Sequence, residues 1–160
     1  DAILKLNASL NDTYLPYGPR GKDAKERQVA QDSNANENAA LGSHVARAAA
    51  KAGPGYQNAG WDIVDAVANN QVRLEEIAEK DLPEAMQKMS KEDRARHVDE
   101  QRAKRAEIQK KINDLNADRV KFVTEEEKKL ADTDKTETLD TAIINAIREQ
   151  VTEKGFETEK

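Results

Sequence analysis

"SKEDRARHVDEQRAKRAEIQKKINDLNADRVKFVTEEEKKLA", residues 90–131, decides the fold. Neither glycine nor proline occurs in it, so nothing local stops a helix once it has started. Ser90 is suited to cap the first turn, and Glu92 and Asp93 sit where the helix dipole favours negative charge. Val98, Ile108, Ile112, Leu115 and Phe122 follow steps of three and four along one face. Glu100 with Lys104, Glu107 with Lys111 and Glu125 with Lys129 are favourable pairs four residues apart. The spacing predicts a single helix over 91–131, roughly 60 Å long at 1.5 Å per residue.

The same face also holds Gln101, Arg105 and Arg119, so a long two-stranded coiled coil is not clearly specified. Packing against a neighbouring helix suits the pattern better. The partner is expected at 138–154, where Leu139, Ile143, Ile147 and Val151 form one stripe and Gly155 stands at the C-cap position. The intervening "ADTDKTET" would turn the chain back into a helical hairpin.

Upstream, Ile3, Leu6 and Leu10 lie on one face of a short helix over residues 2–13, which "YLPYGPRG" ends because Pro16 forces Leu15 out of the helical region. From Lys22 an alanine-rich, charged stretch predicts two helices or one bent one, interrupted at Gly42 and Ser43 and ending at Gly53. "GWDIVDAV" is a short apolar helix, and Trp61, the sole tryptophan, is expected to anchor the core there. Brief turns connect it to the long helix. The expectation is thus an all-α fold: residues 1–13 as one helix, 14–89 as short helices and loops around Trp61, and 90–160 as the long hairpin, together one folding unit.

Composition agrees with a small core. Leu, Ile, Val and Phe total 29 of 160 residues, about 18%, under the ~20% below which chains tend to disorder. The net charge is only -5, however, because acidic and basic side chains are interspersed, and abundant alanine points to solvent-bathed helices. No cysteine is present, which removes disulfides, thiolate metal sites and a cysteine nucleophile. No apolar run approaches the ~18 residues needed to cross a bilayer, and "DAILKLNASL" lacks the order of a signal peptide. The expectation is a soluble chain, mature or excised from a longer one, without membrane insertion. Its acidic balance and few aromatics argue against nucleic acid.

The chemistry-bearing residues do not converge in the sequence. His44 and His97 fall on different helices with no second histidine at ligand spacing. Asp62 and Asp65 are three apart at the start of a helix, where capping and solvation account for them. Asp132, Asp134, Thr136 and Asp140 stand where an EF-hand loop has oxygen ligands, but Glu137 replaces the turn glycine and Ile143 the bidentate glutamate. A calcium-responsive loop is therefore the alternative to a plain hairpin turn. No catalytic residue, cofactor or firm metal site is expected.

Four stretches, "LNASLNDTYLPYGPRGKDAKERQVAQDSNA", "GYQNAGWDIVDAV", "DLPEAMQKMSKEDRARHVDEQRAKRAEIQKKINDLNADRVKFV" and "LDTAIINAIREQVTEKGF", together resemble the C-terminal portion of bacterial, typically exported proteins that carry a von Willebrand factor type A domain. The resemblance covers most of the chain. It implies that residues 1–13 are the tail of the type A domain and the rest its helical extension, in the periplasm, envelope or exterior. No Asp-x-Ser-x-Ser metal-site signature is present, so the type A domain's ion-dependent adhesion carries over to no residue here. The resulting expectation is a non-enzymatic structural or protein-interaction module. Its architectural residues would be Tyr14, Tyr17 and Trp61, and its contact face Ile108, Ile112, Leu115 and Phe122, meeting a protein partner, the type A domain or a second copy.

Overall fold

The computed structural model describes residues 2–37, 42–134 and 139–154, with side chains described outside 131–134 and 139–141. The fold is all-α. In chain order the helices are α1 (Ala2–Asp12), α2 (Gly21–Glu37), α3 (Ser43–Ala52), α4 (Ile63–Ala68), α5 (Glu84–Gln87), α6 (Lys91–Asp134) and α7 (Leu139–Glu153). Two single 3-10 turns, Leu74–Glu76 and Glu79–Asp81, connect α4 to α5. The expected long helix is present as α6, and Ser90 caps it by accepting the Asp93 N–H at 3.0 Å.

The chain divides into two compact units, residues 1–117 and 118–160, with the division inside α6. The first unit holds two apolar clusters. One joins Ile3 and Leu10 of α1, Tyr14, Val45, Ala48 and Ala52 of α3, and Ile108 and Ile112 of α6, with Leu6 and Trp61 against them. The other joins Leu15, Ile63 and Val64 of α4, Leu82, Met86 of α5 and Val98 of α6. The helix expected as the tail of a preceding domain therefore shares its core with α3 and α6.

The tyrosine turn stitches these clusters together, because successive extended residues point to opposite sides. Tyr14 faces the first cluster and Leu15 the second. Opposite them runs the segment before α4. Leu15 O accepts from Ile63 N at 2.9 Å, Tyr17 N donates to Trp61 O at 2.8 Å, and the Tyr17 hydroxyl donates to Ala59 O at 2.8 Å. Pro16 and Asp62 form an isolated antiparallel bridge. Gly18 has φ 73°, a conformation that favours glycine, and its N–H donates to Asp81 O. A β-carbon at Gly21 would stand 3.0 Å from the Pro16 carbonyl carbon, so the close approach of α2 to the turn requires the glycine.

The second unit contains the C-terminal part of α6 and α7. The apolar stripes expected to close a hairpin seam are open. Phe122 is 63% exposed, Leu130 60%, Ile143 47% and Ile147 55%. Part of the stripe is committed elsewhere: Ile108 and Ile112, expected to meet the last helix, are buried with Ile3 and Leu10 of α1 and Val45, Ala48 and Ala52 of α3.

Candidate functional site

The polar groups that converge lie inside the first unit, around Tyr14. Arg105 comes from α6, one turn before Ile108 and two turns after Val98, between the two apolar clusters. Its guanidinium is buried and fully engaged. Nη1 donates to Asp62 Oδ2 at 2.7 Å and Asp65 Oδ1 at 2.6 Å. Nη2 donates to Thr13 O at 2.8 Å and Asp62 Oδ1 at 3.1 Å, and Nε to Thr13 Oγ1 at 3.1 Å. The guanidinium carbon also lies 4.2 Å from the centre of the Tyr14 ring, a cation–π distance.

Asp62 is where α4, the tyrosine turn and α6 meet. It caps α4 by accepting Asp65 N, accepts Leu15 N at 2.7 Å, and holds Arg105. Its side chain is fully buried, so the solvation expected for it is corrected: the cap is there, but its charge is balanced by Arg105 and not by water. Burial pushes the Asp62 carboxyl above the ordinary range, opposed by the Arg105 guanidinium. Burial works to lower Arg105, but the hydrogen bonds and charge of Asp62 more than offset it and the group is raised. Burial also raises the Tyr14 hydroxyl, with Arg105 opposing.

A second polar cluster is built on Lys51 of α3, whose side chain is fully buried and whose Nζ lies 6.0 Å from the centre of the Tyr14 ring. Nζ donates to Asn7 Oδ1 at 2.9 Å, Asn11 Oδ1 at 2.7 Å and Asp32 Oδ2 at 2.6 Å. All three ammonium hydrogens thus have an acceptor. Asp32 of α2 also accepts from Arg47 Nε at 2.5 Å and from Asn11 Nδ2 at 2.6 Å. Burial lowers Lys51, against the raising effect of Asp32. At Asp32 burial acts to raise the carboxyl, but the bonds from Lys51 and Asn11 hold it below the ordinary range.

Tyr14 is 2% exposed and its ring centre is 5.5 Å from that of Trp61. Tyr17 and Trp61 are half-buried. The expected contact face on α6 splits. Ile108 and Ile112 are buried in the core of the first unit, so they are not available to a partner, whereas Leu115 is 37% and Phe122 63% exposed. Of the calcium candidates, Thr136 lies outside the described residues; Asp132 and Asp134 are in α6 and Asp140 in α7, with side chains outside the described set. Among the described residues no group of three His, Asp or Glu side chains is placed to hold a metal ion.

Arg105, Lys51, Asp32, Asn7, Asn11 and Gln28 were not singled out as site residues by the sequence. The signal was a polar residue standing on an apolar stripe. Arg105 interrupts the face of Val98 and Ile108; Asn7 lies between Ile3 and Leu10; Lys51 follows Ala48 by three. Open grooves lie elsewhere: one of about 690 Å³ has Val67, Leu74 and Val98 in its lining with Arg73, Lys91 and Asp99, its charges of both signs. No helix is long and apolar enough among the described residues to cross a membrane. No family model, curated protein or solved structure matches the chain.

Proposed function

We propose that this chain is a non-enzymatic helical module that works through protein contacts, the extension of a type A domain in a bacterial envelope or secreted protein. The observation that carries the reading is the division of labour among side chains. The converging charges of the first unit, Arg105 with Asp62 and Lys51 with Asp32, are buried against one another. In the second unit large apolar side chains stand exposed among the charged ones: Val120, Phe122 and Leu130 of α6, Ile143, Ile144 and Ile147 of α7. Apolar residues clustered in one short unit mark a contact surface more often than scattered ones do. The type A context is supported by the resemblance, two of whose motifs, the "PYG" turn and the "GWD" segment, are bonded to each other.

The test is co-sedimentation of the chain with the type A domain encoded upstream of it. Association that Phe122→Ser with Ile147→Ser abolishes is expected. An upstream sequence without a type A domain, or a chain that associates with none, overturns the reading. Self-assembly through the same exposed residues is the second reading, favoured by Phe122 and Ile147, and the chain alone would then sediment as a dimer or larger species.

A further inference from the structure

The Lys51 cluster holds the parts of a reaction. Asp32 Oδ2 accepts from Lys51 Nζ at 2.6 Å and from Asn11 Nδ2 at 2.6 Å. The same Nζ lies 2.7 Å from the oxygen of that Asn11 carboxamide. One carboxylate oxygen therefore touches both a primary amine and the nitrogen that would leave if the amine attacked the amide carbon. Gln28 Nε2 donates to Asn11 Oδ1 at 3.1 Å, and its orientation is set by the Tyr56 hydroxyl, which donates to Gln28 Oε1 at 2.9 Å. Arg47 occupies the other oxygen of Asp32. Among the described residues it is Asn11, not Asn7, whose nitrogen reaches Asp32.

We propose that Lys51 and Asn11 condense within the folded chain into an isopeptide bond joining α3 to α1, with Asp32 carrying the protons and Gln28 stabilising the oxyanion. The lysine ammonium gives one proton to Asp32 Oδ2, and the freed lone pair of Nζ forms a bond to Asn11 Cγ. The carbonyl electrons move onto Oδ1, where the Gln28 N–H stands ready for the charge. Asp32 passes its proton to Nδ2, the Cγ–Nδ2 bond breaks as the carbonyl re-forms, and Asp32 takes the surplus proton from Nζ and hands it to the departing ammonia. An ammonium ion leaves, Asp32 ends as the carboxylate it began as, and no oxidant or cofactor is used. Holding both groups in place removes the entropic barrier of bringing them together; burial lowers Lys51 toward the neutral amine, while the bonds that hold the Asp32 carboxyl low oppose the first proton transfer and make the reaction slow. The product would tie residues 11 and 51 covalently and restrict the unfolded chain, as a disulfide does.

Intact mass spectrometry of the purified full chain tests this directly. The expected result is a mass lower than the sequence's by one ammonia, with a branched proteolytic peptide joining the segments of Asn11 and Lys51. Asn11→Ala and Asp32→Ala should restore the full sequence mass, while Asn7→Ala should still lose ammonia. A wild-type chain, folded by its helical circular dichroism, that keeps its full mass after prolonged incubation at neutral pH overturns the proposal. So does an ammonia loss without a branched peptide, which is the signature of a succinimide, or a branch located at Asn7.

Discussion

Replacing Arg105 with methionine isolates what the first buried cluster contributes. The substitution keeps a long side chain between the two apolar clusters but removes every donor to Asp62, Asp65 and Thr13. Asp62 would keep its bonds from Leu15 N and Asp65 N, yet its carboxylate would remain fully buried without a counter-charge. Breaking a buried ion pair by removing one partner costs about 3–5 kcal/mol, against about 5–15 kcal/mol for the whole stability of an ordinary domain. Arg105→Met should therefore lower the urea midpoint of the first unit by about a fifth of its value or more. Trp61 is the probe, since it lies against Tyr14 within that unit. Arg105→Lys should cost less, because one ammonium can still face Asp62 but cannot bridge Asp62, Asp65 and Thr13 together.

The pH dependence supplies a second, independent check. A carboxyl raised in the fold binds its proton more readily there than in the unfolded chain. Its penalty is then fully present above the folded value and disappears as pH falls below the ordinary carboxylate range. Asp62 is already raised by burial, and losing Arg105 raises it further. The gap between wild type and Arg105→Met should accordingly narrow as pH is lowered through that raised value. In a double-mutant cycle with Asp62→Asn, the two changes together should cost less than their sum by about 0.5–3 kcal/mol. A variant with the wild-type midpoint, or a gap that does not change with pH, would refute the assignment of Arg105 as the counter-charge of Asp62.

Ile112→Ala, at a fully buried position, should cost about 2–5 kcal/mol, whereas Phe122→Ser, at an exposed one, should stay within about 0.5 kcal/mol; chemical denaturation of both separates core from contact surface. Tyr17→Phe removes the hydroxyl that donates to Ala59 O and should cost about 1 kcal/mol, read as a small downward shift of the Trp61 fluorescence midpoint with helical content unchanged.

Much of the fold is legible because helices are specified locally. Ser90, Glu92 and Asp93 mark the start of α6, the absence of glycine and proline lets it run, and Gly53 ends α3, its N–H donating to Ala50 O. The tyrosine turn is legible as a break, since Pro16 and Gly18 act through backbone torsions. What it binds is not, because the bonds from Leu15 and Tyr17 to Trp61, Asp62 and Ile63 cross more than forty residues and leave no periodic trace. The hairpin seam was overestimated for a related reason. Stripes at 108–122 and 139–151 are equally regular, and periodicity does not reveal how much apolar area each can hide, nor that Ile108 and Ile112 are already taken by α1 and α3.

The buried charges escaped for a deeper physical reason. A polar residue on an apolar stripe reads as a defect in a seam, and Arg105 interrupts the face that Val98, Ile108 and Ile112 define. In the fold that interruption is the point where three segments distant in sequence meet, and Lys51 plays the same part for α1, α2 and α3. A chain with so few branched aliphatic residues has little apolar area with which to fix the mutual placement of its helices. A buried charge whose partners come from different helices constrains that placement more sharply than nondirectional burial does, because misplacing any helix leaves it unpaired. In such a small core, the polar residues that break the stripes are the ones to examine for tertiary contacts.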